Sequence, residues 1–152
     1  MHVTARSDYA VRALAELAAG DTSAYRTVDD LADTQRLPAK FLEGILTQLR
    51  RTGLLESRRG ATGGFRLALP ATEISVADVM RAVDGPLAAV RGLRPEDIAY
   101  DGAAMALPLV WIAMRAAVRD VLESVSVADV ASGHLPDRVE SLTRSDEAWH
   151  RR

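Results

Sequence analysis

Apolar positions along this chain fall into stripes of helical period, broken once by a short strand-like stretch. Tyr9, Ala10, Ala13, Leu14, Leu17 and Ala18 recur at steps of three and four, which predicts a helix over about Ala5–Ala19. Thr4, or alternatively Ser7, suits its N-cap and Gly20 its stop. Val28, Leu31 and Ala32 predict a short second helix over about Val28–Thr34, entered by Thr27 with Asp30 three residues on. Gln35, Arg36 and Leu37 make a turn. A third helix, about Ala39–Thr52, buries Phe41, Leu42, Ile45, Leu46 and Leu49, with Pro38 suited to its first turn. Ala39, Lys40, Glu43, Gly44, Thr47, Gln48, Arg50 and Arg51 fall largely on the wet side, and Gly53 ends it.

Two segments of strand character follow, Leu54–Ser57 and Phe65–Ala68, around the tip Arg58-Arg59-Gly60-Ala61-Thr62-Gly63-Gly64. A fourth helix is expected over about Val76–Val83, with Ser75 as cap, Asp78 in the capping-box position and Asp84-Gly85-Pro86 as stop. A long fifth helix, about Ala103–Val125, carries Trp111, Met114 or Arg115, Val118, Val121, Leu122 and Val125 as its apolar stripe. So small a domain cannot cover a helix of that length, and a two-fold mate would. A short helix over Val127–Ala131, capped by Ser126 and stopped by Gly133, precedes a polar, charged tail expected to be mobile.

The fold class expected is therefore mainly α with a small β-hairpin wing: a winged helix-turn-helix plus a long dimerisation helix. Its segments are a winged helix-turn-helix over 1–84, a loop over 85–102, the dimerisation helix with its short successor over 103–133, and the tail over 134–152.

With 152 residues, 48% of them apolar, one domain has enough material for a core; at 5% aromatic content, that core is mainly aliphatic. No apolar run is long enough to span a membrane, and the first residues lack the apolar middle of a signal peptide. A cytoplasmic, nucleoid-associated location is the expectation. The absence of cysteine excludes disulfides, thiol catalysis and thiolate-bound zinc or iron–sulfur centres. His2, His134 and His150 lie far apart in sequence, so no metal site and no cofactor are expected.

Charge divides the chain. Residues 1–66 hold ten Lys/Arg against eight Asp/Glu, whereas residues 67–152 hold nine against thirteen, so a net −2 hides a basic first half. Seven of the cations lie between Arg36 and Arg66, opposed only by Glu43 and Glu56. A basic helix followed by a basic hairpin is the electrostatic footprint of a DNA reader. Two short helices joined by a tight turn read as helix-turn-helix, whose second helix meets base edges with its N-terminal residues. Those residues are Ala39, Lys40, Glu43 and Gly44. A groove-facing Glu can accept from a cytosine amino group, while Arg50 and Arg51 suit phosphates.

A solvated helix face is the plainer alternative for the third helix. The hairpin favours the DNA reading. Gly60, Gly63 and Gly64 permit close approach, and Arg58 and Arg59 bring charge to the tip, where an Arg can enter a narrow minor groove. The glycines match neither phosphate-loop pattern, so nucleotide binding is not expected.

This order of elements resembles the Rrf2 family of winged-helix regulators over about residues 1 to 130. The resemblance rests on Ser7-Asp8-Tyr9-Ala10, Phe41-Leu42-Glu43, Ile45-Leu46, Leu49-Arg50, Gly53-Leu54-Leu55, Ser57-Arg58-Arg59-Gly60, Gly63-Gly64-Phe65, Leu67-Ala68, Ile74-Ser75-Val76-Ala77-Asp78-Val79 and Ala82-Val83-Asp84-Gly85. The most specific part is the wing pattern R-G-x-x-G-G-[FY]. The resemblance implies a homodimer on a near-palindromic duplex operator, acting as a repressor. Its third helix would lie in the major groove, Arg59 in the minor groove, and Glu43 would match the family's base-reading Glu. Pro38 stands where a small hydroxylic residue is common, and Thr62 where Gly is usual, so the operator sequence does not carry over.

Many members of that family hold an iron–sulfur cluster on three cysteines in the loop after Gly85. Here the ligand positions fall near Gly92, Ile98 and Ala104 or Met105, and a helix-one ligand would have to be Asp8 or Arg12. None is a thiolate. A cluster is therefore not expected, and the loop is left to sense some other signal, from a small molecule or a protein. Tyr100, Met105, Trp111 and Met114 are candidates to line an apolar effector pocket, with core packing as the plainer alternative. Arg91, Arg94, Glu96, Asp97 and Asp101 offer salt bridges or an anion site. A winged-helix protein-interaction adaptor is the alternative function. An enzyme is not expected, since no cysteine, clustered histidines or paired carboxylates in a cleft are evident.

Overall fold

The computed structural model describes residues 2–150. Helix α1 spans Ala5–Ala19, and the Thr4 hydroxyl accepts from the Ser7 amide at 3.1 Å. Gly20 follows in an extended conformation, so the helix stops without using glycine's left-handed freedom. Helix α2 (Val28–Gln35) is opened by the Thr27 hydroxyl accepting from the Asp30 amide, with Asp29 and Asp30 complementing the positive end of its dipole. It closes on Arg36, which adopts φ 54°, while the Leu37 amide turns back to the Ala32 carbonyl at 2.8 Å.

Helix α3 (Ala39–Arg51) buries Leu42, Ile45, Leu46 and Leu49. Two expectations change here. Pro38 lies just outside the first turn and offers its carbonyl to the Phe41 and Leu42 amides. Phe41 is 42% exposed, at the edge of the stripe, where its ring meets Tyr9 edge-on at 5.8 Å. Strands β1 (Leu55–Arg58) and β2 (Gly64–Leu67) pair antiparallel, with Leu55 opposite Leu67 and Arg58 opposite Gly64. Relative to the expectation, β1 starts one residue later and β2 one residue earlier, so the tip shortens to Arg59–Gly63.

Helix α4 (Val76–Asp84) starts from a complete capping box between Ser75 and Asp78 and ends at Gly85 with φ 85°. After a loop holding two 3-10 turns comes α5, Leu107–Ser124, shorter at its start than expected because Ala103 and Ala104 belong to a 3-10 turn. Helix α6 (Val127–Ser132) has its own capping box between Ser126 and Asp129. It does not stay with α5. The Val76 amide donates to the Val125 carbonyl and the Val127 amide to the Ile74 carbonyl, both at 2.8 Å, and α6 packs on α1. Val127 thereby joins the core that Leu14, Leu31, Leu42, Ile45, Leu46, Leu49 and Ile74 form. The division expected at Asp84 is thus crossed by the returning chain.

The tail is also more ordered than expected. Helix α7 (Asp137–Thr143) packs on α5, Arg138 pairs with Asp120 at 2.6 Å, and the Trp149 indole donates to the Thr143 carbonyl at 2.7 Å.

Because Ser75 organises the α4 start and lies beside the Val125 tie, Ser75→Ala should cost about 1 kcal/mol. In a domain of this size that lowers Tm by roughly 2–4 °C in a thermal melt. An unchanged Tm would mean the cap contributes nothing.

Candidate nucleic-acid interface

The N-terminal turn of α3, the start of α2 and the wing tip meet around one hollow of about 460 Å³. Ala39, Lys40 and Glu43 line it from α3, and Gly60, Gly63 and Gly64 from the wing. Thr27, Val28 and Asp29 line it too, and the sequence reading missed them; as cap and first turn of α2 they were legible only as helix-start residues. No acid stands in the first turn of α3 and no side chain caps it, so its positive dipole end stays open to an anion. Gly44 is exposed and bare, with nothing within 4 Å of where a Cβ would sit. Arg51 is exposed at the far end of α3, and Arg50 there donates to the Ser57 hydroxyl of β1 at 3.2 Å.

The side chains divide into committed and uncommitted groups. By strand register Glu56, Arg58 and Arg66 share one hairpin face, and Tyr25 lies on it. The Arg58 and Arg66 guanidiniums stand 4.5 and 4.7 Å from its ring centroid. Arg58 also donates to the Thr62 carbonyl at 2.8 Å, which braces the tip. Arg66, then the Tyr25 hydroxyl, hold the Glu56 carboxyl below the usual carboxylate range. Arg58 is therefore part of the wing's scaffold. By contrast Lys40, Glu43, Arg51 and Arg59 are exposed, and their side chains make no hydrogen bond, ion pair or ring contact with other described residues.

The glycine pair of the wing has a packing cause. A Cβ on Gly63 would lie 2.2 Å from the Arg58 carbonyl oxygen. On Gly64, at φ 141°, it would lie 2.2 Å from the Arg26 carbonyl oxygen. That closeness lets Arg26 and Phe65 exchange two backbone hydrogen bonds, at 2.8 and 2.9 Å, which fasten the wing to the α1–α2 connection. The Arg26 side chain extends the tie to Asp30 at 2.5 Å and Glu16 at 3.3 Å.

Behind the hollow, α3 is held by Gln48, which the sequence reading placed on the wet face. Its amide donates to the Ala82 carbonyl at 2.7 Å and the Val83 carbonyl at 3.3 Å, and its oxygen accepts from Arg6. Asp84, at the end of α4, accepts from Ser7 at 2.7 Å and from Thr4 at the start of α1.

At the opposite end of the chain's course, the Trp111 indole donates to the Tyr100 hydroxyl at 3.3 Å, and Arg91 stands 5.7 Å from the Tyr100 ring. Met105 is 71% exposed and Met114 half-buried. The groove nearby, about 450 Å³, lies between α4, the loop and α5 and is lined by Arg81, Arg94, Arg115 and Arg119 with Glu96.

This arrangement defines a winged helix-turn-helix of the kind transcriptional regulators use. Residues 3–133 match the family described as Rrf2, iron-dependent transcriptional regulator, and the chain belongs to that family. It is 49% identical to the candidate HTH-type transcriptional regulator Rv1287 of Mycobacterium tuberculosis, across 93% of this chain and 88% of that one. It is 31% identical to the HTH-type transcriptional regulator CymR of Bacillus subtilis, across 87% and 91%. The solved structure of that protein, described as the global cysteine regulator, superposes with TM-score 0.73 at 30% identity, covering 87% of this chain and 97% of its own. IscR of T. potens superposes with TM-score 0.70 at 25% identity, covering 99% and 97%.

The family description raises an iron centre, which the donors here do not fit. The chain has no cysteine, and among the described residues no three or more His, Asp or Glu gather where a metal could be held. No helix of the described residues is long and apolar enough to cross a membrane.

Gly64→Ala should loosen the wing at a cost of roughly 1–3 kcal/mol. Hydrogen exchange should show faster loss of protection at the Arg26 and Phe65 amides than in α1. Equal protection in both proteins would contradict the docking role.

Proposed function

We propose that the protein is a homodimeric, sequence-specific regulator that binds a duplex DNA operator and represses by occupying it. The observation that carries this reading is the set of uncommitted side chains on α3 and the wing: Lys40 and Glu43, which line the hollow, and Arg59, next to Gly60 at the wing tip. Held by Leu42, Ile45 and Gln48 from behind, α3 presents Glu43 rigidly, as base selection requires. Lys40, Arg51 and the open helix end supply sequence-independent attraction to phosphates. Arg58, Gly63 and Gly64 act through the wing's shape.

The dimer reading rests on α5. None of its residues is buried within one chain; Leu109 and Val110 are 69% and 54% exposed, and Ala113, Ala116 and Ala117 continue the same arc. Small side chains there let a two-fold copy of the helix approach closely. Two α3 helices one DNA turn apart then read the two halves of a near-palindrome. In this reading residues 1–84 contact DNA, the loop over 85–102 receives a signal other than a cysteine-ligated cluster, and 103–133 joins the copies. No resident cofactor or catalysis is invoked, and the place of action is the cytoplasm, at the nucleoid.

Selection from a random duplex library should return a near-palindromic site. Against that site Glu43→Ala should lose about 1–3 kcal/mol of discrimination at one base pair per half-site. A Glu43→Ala protein that selects the same bases as the parent would remove the assigned role. Arg59→Ala should weaken binding; where Arg59 meets a phosphate, the slope of log affinity against log salt falls by about one. Uniform binding of all duplexes by the parent would favour a protein-interaction adaptor instead.

A further inference from the structure

The groove between α4, the loop and α5 is lined by four guanidiniums and a single carboxylate, in the acidic half of the chain. Arg115 and Arg119 stand one helical turn apart on α5, where like charges repel unless something negative lies between them. Their neighbours, with Asp78, balance Arg81, Arg115 and Arg119 in number, which leaves the charge of Arg94 as the excess. Arg115 pairs with Glu96 at 2.6 Å, Arg119 with Glu123 at 2.9 Å, and Arg81 with the same Glu123 and with Asp78 at 3.4 Å. The Arg94 side chain makes no hydrogen bond or ion pair with another described residue. Each guanidinium has five donors in a planar fork, so most donors here remain unspent. Pro86 and Leu87 add an apolar wall to the same groove.

The geometry points to a binding site for a small organic anion with at least two acidic groups, carboxylate or phosphate. Forks from α5 and the loop grip its oxygens, and Leu87 receives its carbon skeleton. Such a ligand competes with Glu123 for Arg119 and for Arg81, and the Arg81–Glu123 pair latches α4 to α5. Arg81 directly precedes Ala82, whose carbonyl holds Gln48 of α3. Occupancy is thereby felt at the helix facing DNA. That second step rests on the function proposed above; the anion site itself does not.

Calorimetric titration of the full-length protein with citrate and with inorganic pyrophosphate, at matched ionic strength in chloride, tests the site. Saturable binding of one molecule per chain is expected. Citrate alone binding would identify a polycarboxylate, and pyrophosphate alone a phosphorylated compound. Arg94→Gln, which breaks no hydrogen bond or ion pair and removes only a through-space attraction to Glu96, should weaken binding about tenfold with little change in Tm. Arg115→Gln should weaken it too and alter the emission change of Trp111, one turn away. No saturable binding of either probe, or affinity unchanged from the parent in both variants, overturns the site. Anion binding by a protein that selects no operator would instead overturn the proposed function and leave the site standing. Operator affinity that is the same with and without a saturating anion overturns the coupling.

Discussion

The close approach of Gly64 to the Arg26 carbonyl fixes the geometry on which the candidate interface depends. A two-stranded hairpin is marginal on its own. This one gains a third backbone partner because glycine leaves room for it, and Arg26 is in turn tied to α1 through Glu16 and to α2 through Asp30. The wing's angle to α3 is therefore set by the helical core. Tyr25, one residue earlier, holds the charged hairpin face flat beneath two guanidiniums. What remains free at the tip is Arg59.

The second frame is the junction where α1, α3 and α4 meet. Asp84 closes the end of α4 against the start of α1, and Gln48 of α3 reaches the Ala82 and Val83 carbonyls beside it. An acid at a helix C-terminus opposes the dipole of its own helix. Here it lies at the N-terminal end of another, where a negative charge is favourable. The recognition-type face of α3 and the guanidinium groove beyond α4 are thus two sides of one short stack of helices.

How much of this was legible in sequence follows from the range of each interaction. The caps at Thr4, Thr27, Ser75 and Ser126 depend on residues three apart, and all four were readable. So were the Leu42–Leu49 stripe, the charges of Lys40 and Glu43, which line one hollow, and that of Arg59 at the wing tip. The strand ends were misplaced by one residue because they follow the pairing of Leu55 with Leu67 and Arg58 with Gly64, a register that residue types alone do not fix. Phe41 and Gln48 exchanged sides because the covered arc of α3 depends on where α1 and α4 lie. Arg58, Gly63 and Gly64 were legible by their chemistry, but the packing they also serve was not. The α7 helix escaped notice because its support is weak: one exposed Arg138–Asp120 pair to α5, 18 residues back, and an i,i+4 pair between Glu140 and Arg144.

One consequence lies in the return of the chain after α5. Backbone bonds at Val125 and Val127 stitch the end of that helix to the strand-like approach to α4, and Arg81 clips its last turns from the side. The helix is thus a beam clamped at its far end. Any shift of α5 along its axis would have to strain those bonds at the root of α4.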